Sequence, residues 1–295
     1  MSGIYIHIPF CKQACHYCDF HFSTSLKKKD EMVQALAKEI ELRSKSITES
    51  IETIYFGGGT PSILEISDLK FLIEAVYSNY QVVENPEITL EANPDDLFPS
   101  LSFRRNLFVE LKVIGVNRLS IGIQSFFEDD LKLMNRAHNA EEAKKCLEIT
   151  TQHFDNISID LIYGIPNMSN EKWLKNIETA LSFGVPHISS YALTVEPKTA
   201  LHTFIQKGII PQPDDEVAAA HFQILVDKLS EKEFIHYELS NFGKENYFSK
   251  NNSSYWLGKK YIGIGPSAHS YDGQNRGWNV SNNALYILSL IHISE

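Results

Sequence analysis

Six times along this chain an apolar, strand-like run is followed by a longer stretch with helical spacing, and that rhythm limits the fold more than any other feature. The strand-like runs are Ile4–Pro9, Ile51–Phe56, a run starting at Ile88–Leu90, Arg118–Ile123, Ile157–Tyr163 and His187–Thr194. The amphipathic stretches between and after them are Asp30–Ile47, Ile66–Tyr80, Phe103–Ile114, Ala140–His153, Glu171–Phe183 and Asp215–Lys232. Strands separated by a full helix must run parallel, because only a crossover returns the chain to the same end of the sheet. The expectation is therefore an α/β fold, a partial (β/α)6 barrel of the TIM type, with a doubly wound open sheet as the structural runner-up. At 295 residues the chain is long enough to bury a full core.

Polar and glycine-rich groups collect where each strand ends, the end that builds the active face of a parallel barrel. Gly57-Gly58-Gly59-Thr60-Pro61 follows the second strand, Glu91-Ala92-Asn93 the third and Gln124-Ser125 the fourth. Asp160 lies within the fifth, and Tyr191-Ala192 closes the sixth. The first strand leads into Cys11, Cys15 and Cys18, three of the four cysteines of the chain. Such a cluster can hold three irons of a cubane cluster and leave the fourth open. A zinc site completed by His7, His16 or His21, and unliganded structural thiols, are the alternatives. Cys146 sits mid-helix and reads as an inert core residue. The glycine turn lacks the Lys-Ser/Thr pair of a phosphate-binding loop. Glu91 could accept hydrogen bonds from a ligand amine, Arg136 could pair with a carboxylate, and Asp160 could hold ribose hydroxyls.

The formal net charge of −10 argues against broad electrostatic attachment to nucleic acid or to an anionic membrane. No stretch approaches the roughly 20 apolar residues of a membrane span. The N-terminus carries no basic-then-apolar export signal, so the expected location is cytoplasmic, where thiols stay reduced and free for metal. After about Phe234 the pattern changes. Ile235–Phe242 reads as one more strand, and the division expected is a barrel over 1–240 and an irregular segment over 241–295. That segment is expected to lead into a truncated C-terminal domain, with its last residues read as non-native.

Taken together, Cys-x3-Cys-x2-Cys after a first strand and Gly-Gly-Gly-Thr-Pro after a second resemble the radical S-adenosylmethionine (SAM) superfamily. Tyr5–Cys11, Gly57–Ser62, Asn117–Phe126 and Asp160–Pro166 are similar to the oxygen-independent coproporphyrinogen III oxidase family within it. The likeness runs from about Ile4 to Asn279. It implies a [4Fe–4S] cluster on Cys11, Cys15 and Cys18, SAM on the open iron, and its reductive cleavage to methionine and a 5′-deoxyadenosyl radical. By motif position it implies SAM contacts from Tyr5, Gly58, Gly59, Thr60, Glu91, Gln124, Arg136, Asp160 and Ala192. The true oxidases carry a further cysteine two places beyond the third, and a long N-terminal extension. Here that place is Phe20, and the chain starts shortly before Tyr5, features that resemble the haem-chaperone branch, HemW. That branch implies haem, haem-accepting proteins, an electron donor for the cluster and room for a dimer. Oxidation of coproporphyrinogen III or a related tetrapyrrole is the alternative. The branch typically has His-Asn-x-x-Tyr-Trp where this chain reads Asn251-Asn252-Ser253-Ser254-Tyr255-Trp256. Asparagine is a poor iron ligand beside imidazole, which leaves His236 and His269 as substitutes.

Replacing Cys15 with Ala is expected to abolish the cluster, because two thiolates do not hold it securely. Iron and sulfide analysis after anaerobic reconstitution checks this; full iron content in the variant would refute the assignment.

Overall fold

The computed structural model describes residues 2–97 and 107–291. Strands β1 (Ser2–Ile8), β2 (Ile51–Gly58), β3 (Val82–Ala92), β4 (Arg118–Gln124), β5 (Ile157–Tyr163) and β6 (His187–Ala192) pair side by side, all parallel. Their spatial order equals their chain order. A doubly wound sheet needs a reversal of order at a switch point, so the runner-up topology is excluded. The crossovers carry α1 (Lys29–Leu42), α2 (Ile66–Asn79), α3 (Pro94–Leu97), α4 (Leu107–Val113), α5 (Glu128–Leu133), α6 (Ala140–His153) and α7 (Asn170–Ser182). After β6 come α8 (Ala200–Gln206) and α9 (Asp215–Ser230). The expected helix over 103–114 is described from Leu107 onward; its first residues lie outside the described residues.

Each barrel strand is two-faced, with the period of two that a strand imposes. Ile54, Phe56, Ile88, Leu90, Leu119, Ile121, Ile159, Leu161 and Ile188 belong to a single buried apolar core. The alternate positions are polar and also buried: Thr53, Glu87, Thr89, Arg118, Ser120, Ser158, His187 and Ser189. The apolar face packs under the helices, and the polar face turns to the barrel interior. There Tyr55, Glu91, Arg118, Ser120, Ser158 and Asp160 surround a small cavity of about 50 Å³.

Helix boundaries follow local chemistry. The helix α6 matches expectation to the residue because Asn139 and Glu142 form a reciprocal capping box at its start. The helix α1 ends at Leu42 rather than Ile47, since Arg43-Ser44-Lys45-Ser46 offers no apolar face to bury. Strand β3 begins six residues before the expected Ile88, and a register shift in its pairing with β2 absorbs the polar stretch around Pro86.

The segment after β6 departs most from the sequence reading. The single strand expected over 235–242 is two short ones, β7 (Ile235–His236) and β8 (Asn241–Gly243), which pair antiparallel around a turn; β8 also pairs antiparallel with β6. Residues 241–291, expected to be irregular, contain α10 (Lys250–Trp256), β9 (Tyr261–Ile264), β10 (His269–Tyr271), β11 (Arg276–Trp278) and α11 (Asn283–Ile291). Strand β9 joins the barrel sheet parallel to β1, and β10 and β11 extend it antiparallel. The short strands carry no legible alternation, because pairing with β1, β6 and one another rather than their own pattern makes them strands.

Buried Glu39 of α1 binds this segment to the barrel. Its carboxylate accepts hydrogen bonds from Tyr286 Oη (2.6 Å), the Gly265 N–H (2.8 Å) and Asn279 Nδ2 (2.8 Å), and it pairs with Arg43 at 3.3 Å. Glu39→Ala orphans the Tyr286 hydroxyl and the Gly265 N–H and removes the carboxylate partner of Arg43, although Asn279 keeps Gly265 O and Arg43 keeps Gly263 O and Ser270 Oγ, and it should cost about 3–5 kcal/mol, as breaking a buried charged network does. Urea unfolding measures this; a loss below about 1 kcal/mol would show that the network is not what docks the segment.

Candidate functional site

The cysteine loop is held to the barrel by backbone hydrogen bonds. The Gly59 and Thr60 N–H groups donate to the carbonyls of Ile8 (2.9 Å) and Phe10 (2.7 Å). The loop closes on itself through Cys11 N–H to Ser23 O (3.1 Å) and Ser23 N–H to Pro9 O (2.9 Å). Its far side is pinned by Asn135, which donates to Ala14 O (2.8 Å) and accepts from Gln13 Nε2 (2.9 Å). Lys12 pairs with Asp95 and with buried Asp96. The glycine turn has to be glycine here for a packing reason: a Cβ on Gly59 would lie 2.5 Å from the Phe10 carbonyl oxygen, and Gly58 adopts φ +111° with its Cβ position filled by the His7 ring.

Cys11, Cys15 and Cys18 are free, partly exposed, and line one cavity of about 150 Å³. Gly58, Gly59, Thr60, Glu91, Gln124, Arg136 and Asp160 line the same cavity. Ala192 lines a neighbouring cavity that shares Glu91, Gln124 and Asp160 with it, and Tyr5 lines another that shares Gly58 and Glu91. Gln124 reaches the cavity through a bulge: the β4–β5 register shifts between Gly122 and Gln124, and Gln124 takes φ +66°.

Arg136 ties these parts together. Its Nη1 donates to Cys15 Sγ (3.2 Å), and its Nη2 donates to Asn93 Oδ1 (2.7 Å) and the Gly122 carbonyl (2.9 Å). Asn93 in turn donates to Thr60 Oγ1 (3.2 Å). The Nε of Arg136 is buried with no partner among the described residues. Glu91 accepts from Tyr55 Oη (2.8 Å) and the Gly58 N–H (3.2 Å). Sequence reasoning placed Asn93 at a strand end without a role, and did not single out Tyr55, Ser120 or Tyr17. The signal for Tyr55 and Ser120 was present as polar residues alternating with apolar ones inside strands read as simply apolar.

The electrostatics favour a cationic guest. Burial pushes the Glu91 carboxyl up to about 7 against the pull of the Tyr55 hydrogen bond, with the nearby Asp160 charge adding to the rise. Burial likewise pushes Asp160 up to about 6, opposed by Arg136. The Cys11 and Cys18 thiols are each pushed by burial to about 11. Groups that would be anionic are thus held toward their neutral forms, and iron or a sulfonium-bearing amine reverses that balance. Among the described residues no three His, Cys, Asp or Glu side chains converge to hold a single metal ion. A cubane cluster does not require that, since each cysteine takes a different iron. The three-thiol donor set, the unpartnered Arg136 Nε and the two neutral-leaning acids fit a cluster with a SAM-like ligand beside it.

The three histidines considered for zinc each already bond the protein. His7 Nε2 donates to the His21 carbonyl (2.9 Å), His16 Nδ1 to Leu133 O (2.8 Å) and His21 Nε2 to Asn283 Oδ1 (2.7 Å). Cys146 is buried on α6, as expected of a core thiol. Asn251 is buried too: its Oδ1 accepts from Thr53 Oγ1 (3.3 Å) and its N–H donates to Glu87 (3.1 Å). Phe20 is 68% exposed and lines the cysteine cavity and both of its neighbours.

A carboxyl with a higher pKa folded than unfolded (about 4.3) stabilises the fold at low pH, and that contribution is lost as pH rises through its folded value. With Glu91 at about 7, the metal-free protein should unfold at lower urea at pH about 8 than at pH about 6. Glu91→Gln, which cannot ionise, should narrow the difference; an unchanged pH dependence would refute the burial of this charge.

Residues 5–180 match the family model of the Radical SAM superfamily. The chain is 34% identical over 290 residues to the heme chaperone HemW of Mycobacterium tuberculosis, an alignment covering 96% of this chain and 73% of that protein. It is 38% identical over 291 residues to the heme chaperone HemW of Bacillus subtilis, covering 97% and 75%. Coproporphyrinogen III oxidase (HemN) from Escherichia coli, a radical SAM enzyme, superposes with a TM-score of 0.83 at 22% identity, covering 99% of this chain and 69% of that one, a likeness of fold. With the parallel strand order and this level of identity, the chain belongs to the radical SAM superfamily and, within it, to the family of the heme chaperone HemW.

Proposed function

We propose that this protein holds a [4Fe–4S] cluster on Cys11, Cys15 and Cys18, binds SAM beside it, and carries haem for transfer to acceptor proteins. The observation that carries this reading is the gathering of three cysteines, six residues on or just after the barrel strands, and Arg136 from the α5–α6 loop around one cavity. The name shared by the relatives, heme chaperone, supplies the haem part.

When bound, the cluster and SAM supply one-electron chemistry that amino-acid side chains lack. The chain's own residues hold and orient. Arg136 sets the position of Cys15 and, through Asn93, of Thr60. Glu91, already accepting from Tyr55 and Gly58, accepts from the amine of the ligand, which draws its carboxyl back to the ionised form. Asp160 and Gln124 take the ribose hydroxyls, and the Gly58–Thr60 edge meets the rest of the ligand. Phe20 stands where the oxidases carry a further cysteine and gives the cavity mouth an apolar wall. A cluster held by Cys11, Cys15 and Cys18 would need an electron donor as a partner. Among the described residues no helix is long and apolar enough to cross a membrane, and we place the protein in the cytoplasm, where reduced thiols suit the cluster.

Anaerobic reconstitution with iron and sulfide, followed by SAM and then haem titration, tests the whole reading. About four irons and four sulfides per chain and near-stoichiometric haem are expected. No haem uptake, together with conversion of coproporphyrinogen III, would replace the chaperone role with the oxidase role. Glu91→Ala should weaken SAM binding by about tenfold, the value of one charge-assisted hydrogen bond, and leave iron content intact. Loss of iron in that variant would show Glu91 to be structural for the cluster loop.

A further inference from the structure

One cavity next to the cysteine site has no part in holding the cluster. It has a volume of about 690 Å³ and lies between the strand β1, the cysteine loop and the β9–β11 strands. Phe20, Tyr255 and Tyr261 give it aromatic walls, and His269 and Arg276 stand on the strands opposite the loop. Gly58 and Glu91 are shared with the cysteine cavity, so the two spaces are neighbours. The volume falls within the roughly 300–1,000 Å³ usual for small-molecule pockets.

We propose that this cavity is the haem site, with His269 as the ligand to iron and Arg276 as the partner of a propionate. The inference rests on the haem-carrying reading above and names the site for it. A haem asks for an imidazole whose nitrogen is unoccupied, flat apolar walls, and a cation for its carboxylates. His269 makes no side-chain hydrogen bond among the described residues, and its only ring neighbour is Trp278, at 6.1 Å. It is exposed, which suits a haem that must leave for an acceptor. Arg276 is the only Lys or Arg lining this cavity among the described residues, and it has no acidic partner there.

The competing histidines are committed elsewhere. His7 receives the Tyr5 hydroxyl on Nδ1 (3.3 Å) and donates from Nε2 to His21 O. His21 donates from Nε2 to Asn283. His236 donates to Leu239 O (3.2 Å), stacks on Phe242 at 4.2 Å, and sits on β7, at the other end of the sheet order from β10. Position 251 is enclosed against Thr53 and Glu87, and Asn251 lines neither the cysteine cavity nor its neighbours.

The turn before His269 is built to hold it. Gly265 (φ +106°) and Ser267 (φ +64°) both take left-handed conformations, and a Cβ on Gly263 would lie 2.0 Å from the His269 carbonyl oxygen. The Glu39 carboxylate fixes this turn through the Gly265 N–H. Backbone strain at a non-glycine residue persists only where surrounding structure over-determines it, and such positions gather at functional sites. Ser267 lines the same cavity.

Haem titration of the reconstituted protein, followed by Soret absorption, tests this. His269→Ala should weaken haem binding at least about tenfold and shift the Soret band, since losing even a residue that supports a metal ligand costs about 10–100-fold in affinity. Iron–sulfur content should be unchanged, and added imidazole should restore the band position. Arg276→Gln should weaken binding about tenfold without moving the band, because it leaves the iron ligand in place. His236→Ala should behave as wild type. A His269→Ala protein with wild-type affinity and an unshifted band would overturn the site while leaving the haem-carrying reading intact. Absence of haem uptake by the wild type would overturn both.

Discussion

The structure depends on strands that carry two incompatible surfaces in strict alternation. Along β4, Leu119, Ile121 and Ile123 are fully buried among apolar neighbours, while Arg118, Ser120 and Gln124 on the other face are buried among polar ones. A one-residue slip in register would exchange the faces, placing Arg118 under a helix and isoleucine in the polar interior. The cost of an unpaired buried charge locks the register of β4 against β3 and β5. Arg118 is compensated there by Asn156 at 2.5 Å and by the Tyr247 carbonyl.

That interior face explains why the functional groups meet. Glu91, Ser120, Ser158 and Ser189 occupy adjacent strands in linked registers, Glu91 opposite Ser120 and Ser120 opposite Ser158, so polar side chains far apart in sequence form one continuous lining. Two residues higher, at the C-terminal strand ends, the lining opens to the cysteine loop. The burial that raises the Glu91 and Asp160 carboxyls toward neutrality follows from the same geometry. A cationic ligand there would favour the ionised form of both acids, as would hydrogen-bond donors.

The C-terminal elements do more than close an edge. Strand β9 adds to β1, and the Glu39 network ties Gly265, Asn279 and Tyr286 to α1. Together they stand a second wall opposite the cysteine loop, creating the space lined by Phe20, Tyr255, His269 and Arg276. A barrel of six strands alone would have left that side of the cysteine loop without a wall.

The fold class, the helices with strong caps and the cysteine and glycine motifs were legible in the sequence because each rests on local chemistry. Asn139 with Glu142 starts α6 wherever it is placed, and a run such as Ile157–Tyr163 is a strand by its own composition. The grouping of the strand-end residues could be anticipated because parallel strands in chain order bring the same ends together. Tertiary structure decided what depended on distant partners. Residues 241–291 become strands and helices through pairing with β1 and docking on α1, which no local periodicity announces. Tyr55 enters the site because Glu91 on the adjacent strand accepts its hydroxyl, and Asn93, already at a strand end, takes its role from Arg136. His269 and His236 are equivalent as letters in the chain. The partners that the fold supplies leave one with unoccupied nitrogens at a cavity and stack the other on Phe242.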